Sequence, residues 1–328
     1  MTETNFTITY GPLLTTTLMK VLDSGALTDN VFNQDVTLQW LRNSGRVKVV
    51  DGGERLRLGI LDAKNTTAQW YADYEALNST AMAGMTSAFY AWKQGSVSIS
   101  INGRELRSNS GPAKIADLQK EKITQAALSL TDLVATGVFS DGTGTGSKQL
   151  TGLTAMCETT PLTVIYASVP LANTAWANQA QASVGAGAVN LLPKLRTLMN
   201  DCKQGKGGMN GQPDFIVTTQ SIHETFEALV FPQVRYEPNP KGGADAGIQV
   251  LKFKGAEVEW DDYCTSGCVY CLNSKFIWLV VHRAANFTMA DGGFQKPINQ
   301  DALVTQILFQ GNLVTNARKK HGKLQGVT

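Results

Sequence analysis

Residues 112–153 constrain the fold more than any other stretch of the chain. Pro112 suits the first turn of a helix, where its missing N–H leaves no hydrogen bond unmade. Ile115, Ile123, Ala126, Ala127, Leu130 and Val134 recur at the three-to-four spacing of one buried helical face. Lys120, Glu121, Lys122 and Gln125 lie off that face. The pattern predicts a helix over 112–138, stopped by Gly137 and by the run Asp141-Gly142-Thr143-Gly144-Thr145-Gly146. Gly152-Leu153 closes the segment.

With 328 residues the chain can bury a large core, in about two domains. Charged residues make up 17%, against roughly 25% in ordinary soluble proteins. Such a low charge density suits a subunit that covers much of its surface with neighbours. The net charge of +2 argues against tight nucleic-acid binding by bulk electrostatics. The one basic cluster, Arg318-Lys319-Lys320-His321-Gly322-Lys323, reads as a solvated tail, with nucleic acid as the other surface it could face. Met1–Leu18 lacks the basic and apolar blocks of a signal peptide. The apolar run Phe276–Val281 is far shorter than the ~20 residues a membrane helix needs. Five cysteines, an odd number without a visible signal peptide, point to reduced thiols in a cytoplasm.

Residues 1–30 read as an arm, Thr-rich and broken at Gly11-Pro12. Strands are expected where apolar and polar residues alternate: Val47/Val49, Leu56/Leu58/Ile60 and Val97/Ile99/Ile101. Asp51-Gly52-Gly53 permits positive φ and is expected to close a hairpin. Between these strands lies Asp62–Ser87, poorly periodic and holding Trp70, Tyr71, Tyr74, Met82 and Met85. Further on, Leu162–Ile165 is a strand candidate and Ala188–Cys202 a helix, with Pro193 in its first turn. Phe215–Val217 is a buried strand, and Ser221 with Glu224 forms a capping box for a helix stopped at Phe231-Pro232. If Lys254-Gly255 is a two-residue turn, Lys252 faces Glu257 and Leu251 faces Val258. Phe276–His282 and Leu303–Leu308 are the last strands expected.

No constellation makes a convincing active site. Gly142-x-Gly144-x-Gly146-Ser147-Lys148 fails as a phosphate loop, because Ser147 interrupts Gly-Lys and the loop follows a helix rather than a strand. His223-Glu224-x-x-Glu227 lacks the second histidine of a zinc helix. Cys268 and Cys271 have pair spacing, but strand alternation sends them to opposite faces, as buried small side chains. Glu257, Glu259, Asp261 and Asp262 could form a cation site, but Glu257 and Glu259 read better as the solvated face of a strand. No Gly-x-Ser-x-Gly elbow is present. No catalytic residue, cofactor or metal is expected.

The order of elements carries a resemblance. Val47-Lys48-Val49-Val50-Asp51-Gly52-Gly53 comes first, then Ala91-Trp92-Lys93-Gln94 before Val97–Glu105, then Asn109 and Gly111 leading into the long helix and its glycine loop. Pro213–Val217, Leu251–Val258 and Asp301–Ala317 follow. Taken together, nearly the whole chain resembles the major capsid proteins of tailed bacteriophages. The resemblance implies the α+β Hong Kong phage capsid fold. Its parts would be an N-terminal arm (1–30), a projecting β loop, the E-loop (46–107), a peripheral domain (31–45, 108–150 and 276–328) with its spine helix at 112–138, and an axial domain (151–275). It implies a structural, non-enzymatic subunit that self-assembles through pentamers and hexamers into an icosahedral head around double-stranded DNA. Trp70, Tyr71, Tyr74 and Trp92 would contact neighbouring subunits, and Gly142, Gly144 and Gly146 would form a hinge, with 205–211 a second candidate. The chain opens on a short arm, so scaffolding is expected from a separate protein or a segment already removed. Portal and decoration proteins are the other expected partners, contact with packaged DNA is weak and non-specific, and no membrane is involved. The location is the virion, after assembly in the host cytoplasm. Two alternatives stand beside this reading: an encapsulin-like nanocompartment shell, and an enzyme binding nucleotide or zinc.

Overall fold

A computed structural model of the chain describes residues 35–108, 118–170, 174–182, 185, 187–203, 211–230, 251–290 and 293–327. The expected arm, Pro112 and Ile115, most of the 205–211 glycine segment and the Phe231-Pro232 stop lie outside these residues. Besides a single turn at Gly144–Ser147, the described α-helices are α1 (Val36–Asn43), α2 (Gly103–Ser108), α3 (Leu118–Val138), α4 (Leu153–Met156), α5 (Gly187–Lys203) and α6 (Gln220–Val230). The strands are β1 (Val47–Val50), β2 (Arg55–Leu61), β3 (Met85–Ala91), β4 (Lys93–Asn102), β5 (Gln179–Gln181), β6 (Phe215–Thr218), β7 (Lys252–Phe253), β8 (Ala256–Trp260), β9 (Cys268–Leu272), β10 (Ile277–Met289), β11 (Ala302–Thr315) and β12 (Gly322–Gln325). They form a six-stranded sheet ordered β5-β12-β9-β6-β8-β7, a four-stranded sheet ordered β1-β10-β11-β4, and a two-stranded hairpin of β2 and β3.

The chain divides into two compact units. One takes in the described residues of Gly95–Leu133 and Ala285–Phe309. Here the alternation of β4 buries Ile99 and Ile101 and leaves the serines between them outside, as the period-two pattern predicts. Ala126 and Leu130 of α3 are buried, and Gly95 leaves room for Leu130 and Leu133. Lys122 ties three elements together, reaching the Ser100 carbonyl at 3.0 Å and the Glu105 carboxylate at 2.8 Å. Gly103 has no room for a side chain beside the Asp301 carboxylate, which in turn meets Arg107 at 2.9 Å.

The other unit takes in the described residues of Asn33–Gln94, Val134–Ala284 and Gln310–Thr328. Its core is the six-stranded sheet with α5 and α6 on one face: Leu191, Leu195, Leu198, Met199, Ile222 and Phe226 pack on Ile216, Val258, Val269 and Cys271. On the opposite face, Trp40 of α1 stacks on Phe215 at 4.5 Å, and Phe139 tilts against Tyr270 at 6.0 Å. Adjacent strand residues thus serve two separate layers, which is why β6 and β9 are buried throughout. α1 is held at its start by Asp261, whose carboxylate accepts from the Thr37 amide at 2.9 Å and the Thr37 hydroxyl at 2.7 Å. The β7–β8 hairpin has the expected register, Lys252 opposite Glu257, and turns through Lys254 and Gly255, both at positive φ.

Several expectations fail for physical reasons. Asp51-Gly52-Gly53 does not close a hairpin, although Gly52 and Gly53 have positive φ. β1 pairs parallel with β10 and β2 pairs with β3, so these glycines carry the chain from one sheet to another. Leu162–Ile165 is a turn rather than a strand, with Leu162, Val164 and Ile165 exposed. Pro193 is the seventh residue of α5, beyond its first turn. Glu224 meets the Gln220 side chain rather than Ser221, because α6 begins one residue before Ser221. β12, grouped by sequence with the closing strand, hydrogen-bonds with β9 and β5. Gly137 does not stop α3. It lies within the helix, where a Cβ would press against Leu150 at 2.9 Å.

The corner after α3 is tight. Gly152 donates its N–H to the Ser140 carbonyl at 3.1 Å, and any Cβ there would collide with the carbonyl oxygens of Gly137 and Val138. Backbone cannot step aside as a side chain can. Gly152→Ala is therefore expected to destabilise the unit by about 2–3 kcal/mol, measured by urea unfolding.

Candidate functional site

The residues singled out as chemical candidates take structural roles. All five cysteines are free and buried, and burial pushes the Cys157 thiol up to about 12, the Cys271 thiol higher still. Such thiols stay protonated and are poor nucleophiles. Cys271 joins the α5–α6 core, while Cys268 lies one strand face away, as alternation requires. Asp261 is occupied with Thr37, and Glu257 pairs with Lys252 at 3.6 Å. Among the described residues no group of histidine, cysteine and carboxylate side chains is placed to hold a metal ion. No described helix is long and apolar enough to cross a membrane.

The glycine loop is a compact turn. Asp141 accepts from the Thr143 amide at 2.9 Å and hydroxyl at 2.7 Å, and these bonds hold its carboxyl below the ordinary range. Gly142 and Gly146 have positive φ, but so do Thr145 and Ser147, which lack that freedom. Gly144 faces the Gln149 side chain too closely for a Cβ. Of the three candidate hinge glycines, Gly142 and Gly146 lie at positive φ, and Gly144 opens a single turn that runs through Ser147.

The hairpin of β2 and β3 is the feature with no internal explanation. Its neck is closed by the Asp62 amide donating to the Gly84 carbonyl at 2.9 Å. Beyond it, local bonds shape the tip. Asn65 accepts from Thr67, Asn78 accepts from Thr80, and the Glu75 carboxylate accepts from the Ala72 amide. The tip has shape but no core: Trp70 is 100% exposed, Tyr74 103% and Tyr71 66%, with Leu77 and Met82 also exposed. Apolar side chains gathered this way on one element are uncommon on the surface of a lone soluble chain.

The hairpin's root is fixed by contrast. Tyr90 donates its hydroxyl to the Thr315 carbonyl at 2.7 Å, and Asn312 donates to the Ala91 carbonyl at 2.9 Å while accepting from the Thr151 amide. Trp92 is part of this root: its Nε1 donates to the Gly53 carbonyl at 2.7 Å and its ring meets His282 edge-on. Trp70, Tyr71 and Tyr74 thus cluster at the tip, whereas Trp92 has partners within its own chain. Tyr90 and Asn312 escaped notice because their partners lie 225 and 221 residues away.

Behind the root sits the basic cluster, and it is no tail. Arg318 is 1% exposed, and Lys320, His321 and Lys323 are buried as well. The Arg318 guanidinium caps the end of α4, donating to the carbonyls of Met156 at 2.6 Å and Ala155 at 3.3 Å, and lies over the Tyr166 ring at 4.8 Å. Tyr166 continues an aromatic row from Tyr90 to Trp176. The Lys323 ammonium lies near the Tyr270 ring. A run placed this way is not a solvated tail.

His321 is wholly buried, its ring between the Asn273 amide and the Thr315 hydroxyl, each at 3.3 Å. Burial pushes its imidazole down to about 3. The unfolded chain takes up this proton below about pH 6.5, and the native state refuses it until about 3. Its contribution to stability is therefore intact above about pH 6.5 and lost on acidification, at about 1.4 kcal/mol per pH unit across that window. Urea midpoints measured from pH 7 to 4 should fall along this slope, and His321→Asn should flatten it.

A 21-residue helix, a hairpin with an uncovered tip and a six-stranded sheet backed by helices define the class: the chain has the Hong Kong phage capsid fold. No protein-family model matches the chain, and no curated protein matches it in sequence. Solved structures do match. The cyanophage A-1(L) capsid protein superposes with a TM-score of 0.74 at 14% identity, over 93% of this chain and 96% of that one. The capsid of the native GTA particle gives 0.60 at 11% identity, over 93% and 95%. The SrpI encapsulin of Synechococcus elongatus PCC 7942 gives 0.57 at 9% identity, over 98% and 96%.

Proposed function

We propose that this chain is the major capsid protein of a tailed bacteriophage, a structural subunit that assembles through pentamers and hexamers into an icosahedral head enclosing double-stranded DNA. The observation that carries this reading is the hairpin tip, with Trp70 and Tyr74 fully exposed on a capsid fold. A monomer gains nothing from such a surface, whereas a shell gains a contact at every copy. In this reading 1–30 is the arm, 46–107 the E-loop, 31–45, 108–150 and most of 276–328 the peripheral domain, and 151–275 with β12 the axial domain. Gly142, Gly144 and Gly146 are the hinge that lets one sequence occupy five- and six-fold positions. Scaffolding, portal and decoration proteins are its partners, and the site of assembly is the host cytoplasm. Contact with the packaged DNA is weak and non-specific.

A second reading, a nanocompartment shell, is favoured by the encapsulin match over 98% of this chain. Electron microscopy of the purified, overexpressed protein tests both. Closed shells without a cargo enzyme support the capsid reading, and shells that co-purify with an enzyme support the other. A monomer that binds nucleotide or zinc rejects both.

A further inference from the structure

The hairpin's stem has two faces, and the chain uses one. Register sets Leu56 opposite Tyr90, Leu58 opposite Ala88 and Ile60 opposite Thr86, and this face is turned inward. The other face sets Arg55 opposite Ala91, Arg57 opposite Phe89 and Leu61 opposite Met85. Leu61, Met85 and Phe89 are exposed there, and the Arg57 guanidinium lies 5.9 Å from the centre of the Phe89 ring. The face is an apolar strip with two cations along it, of which Arg55 pairs loosely with Glu54 at 3.9 Å among the described residues.

The tip is its complement in both respects. Its aromatic groups sit among Asp73 and Glu75, and its charges from 62 to 84 are three acids against Lys64 alone. Tip and stem belong to one hairpin, yet within the chain they do not meet, since Trp70 and Tyr74 are wholly uncovered. We propose that the outer face of the stem receives the hairpin tip of a second copy of this chain. Trp70 and Tyr74 cover Leu61, Met85 and Phe89, while the carboxylates of Asp73 and Glu75 pair with Arg55 and Arg57. The contact is head-to-tail, so each copy offers one tip and one receptor, and it propagates around a ring. This inference rests on the shell-building reading.

Charge exchange tests it. R55E/R57E and D73K/E75K are expected each to lower the assembled fraction by about tenfold or more in sedimentation, because each brings like charges together. The chain with all four changes is expected to recover shells, because every tip again meets a receptor of opposite charge. Normal assembly by either double variant overturns the proposal, as does loss in both without rescue. If a reversed variant fails to fold, R55Q/R57Q serves instead: its shells should dissociate at lower salt than wild type, and equal salt tolerance overturns the contact. Wild-type protein that forms no shells rejects the shell-building reading itself.

Discussion

A chain carrying Trp70→Ala and Tyr74→Ala is expected to fold with unchanged stability and to assemble poorly. Both side chains are fully exposed, so truncation removes no buried contact and should shift the unfolding free energy by no more than about 0.5 kcal/mol. In an interface the same truncations remove aromatic anchors, each worth about 2 kcal/mol or more. A shell repeats that loss at every subunit contact, which turns a moderate defect into a near absence of particles. Thermal melts should overlay those of wild type, while sedimentation and electron microscopy should show a large fall in closed shells. Normal shell yield would remove the tip from the assembly surface. Tyr71→Ala should act in the same direction but less, since that ring is already partly covered.

Arg318→Ala should do the reverse, damaging the fold itself by about 3–5 kcal/mol in urea unfolding. It strands the carbonyls of Ala155 and Met156, opens a cavity, and removes the cation over Tyr166. Arg318→Lys should restore only part of the loss. A single ammonium cannot both lie flat on the ring and reach two carbonyls. Were this run a solvated tail, either change would stay within about 0.5 kcal/mol, so the measurement separates the two pictures cleanly. Because Tyr166 leans on Tyr90, and Tyr90 holds Thr315, the same variant should also loosen the hairpin's root.

Local rules were the part of the fold that sequence made legible. The Lys254-Gly255 turn, the alternation in β2 and β4, and the end of α3 near Val138 depend on neighbours a few residues away. What escaped depended on distant partners. Six basic or small residues in a row look solvent-bound, and only the tertiary fold brings Met156, Tyr166 and Tyr270 to satisfy them. Asp51-Gly52-Gly53 has hairpin chemistry, but the pairing of β1 with β10 outcompetes a local partner. Leu162–Ile165 has strand composition and no strand to pair with at its own position. The tip was legible for an opposite reason: aromatic residues without periodicity cannot make a core of their own, and in the structure they do not.

β12 lies between β5 and β9, so among the described residues β5 joins the sheet through β12 alone. These two partners stand far apart in sequence, so closing this edge costs more chain entropy than closing the β7–β8 hairpin. The β5 edge is therefore expected to order after the β6–β8–β9 centre, and hydrogen exchange should find it the first part of the sheet to open.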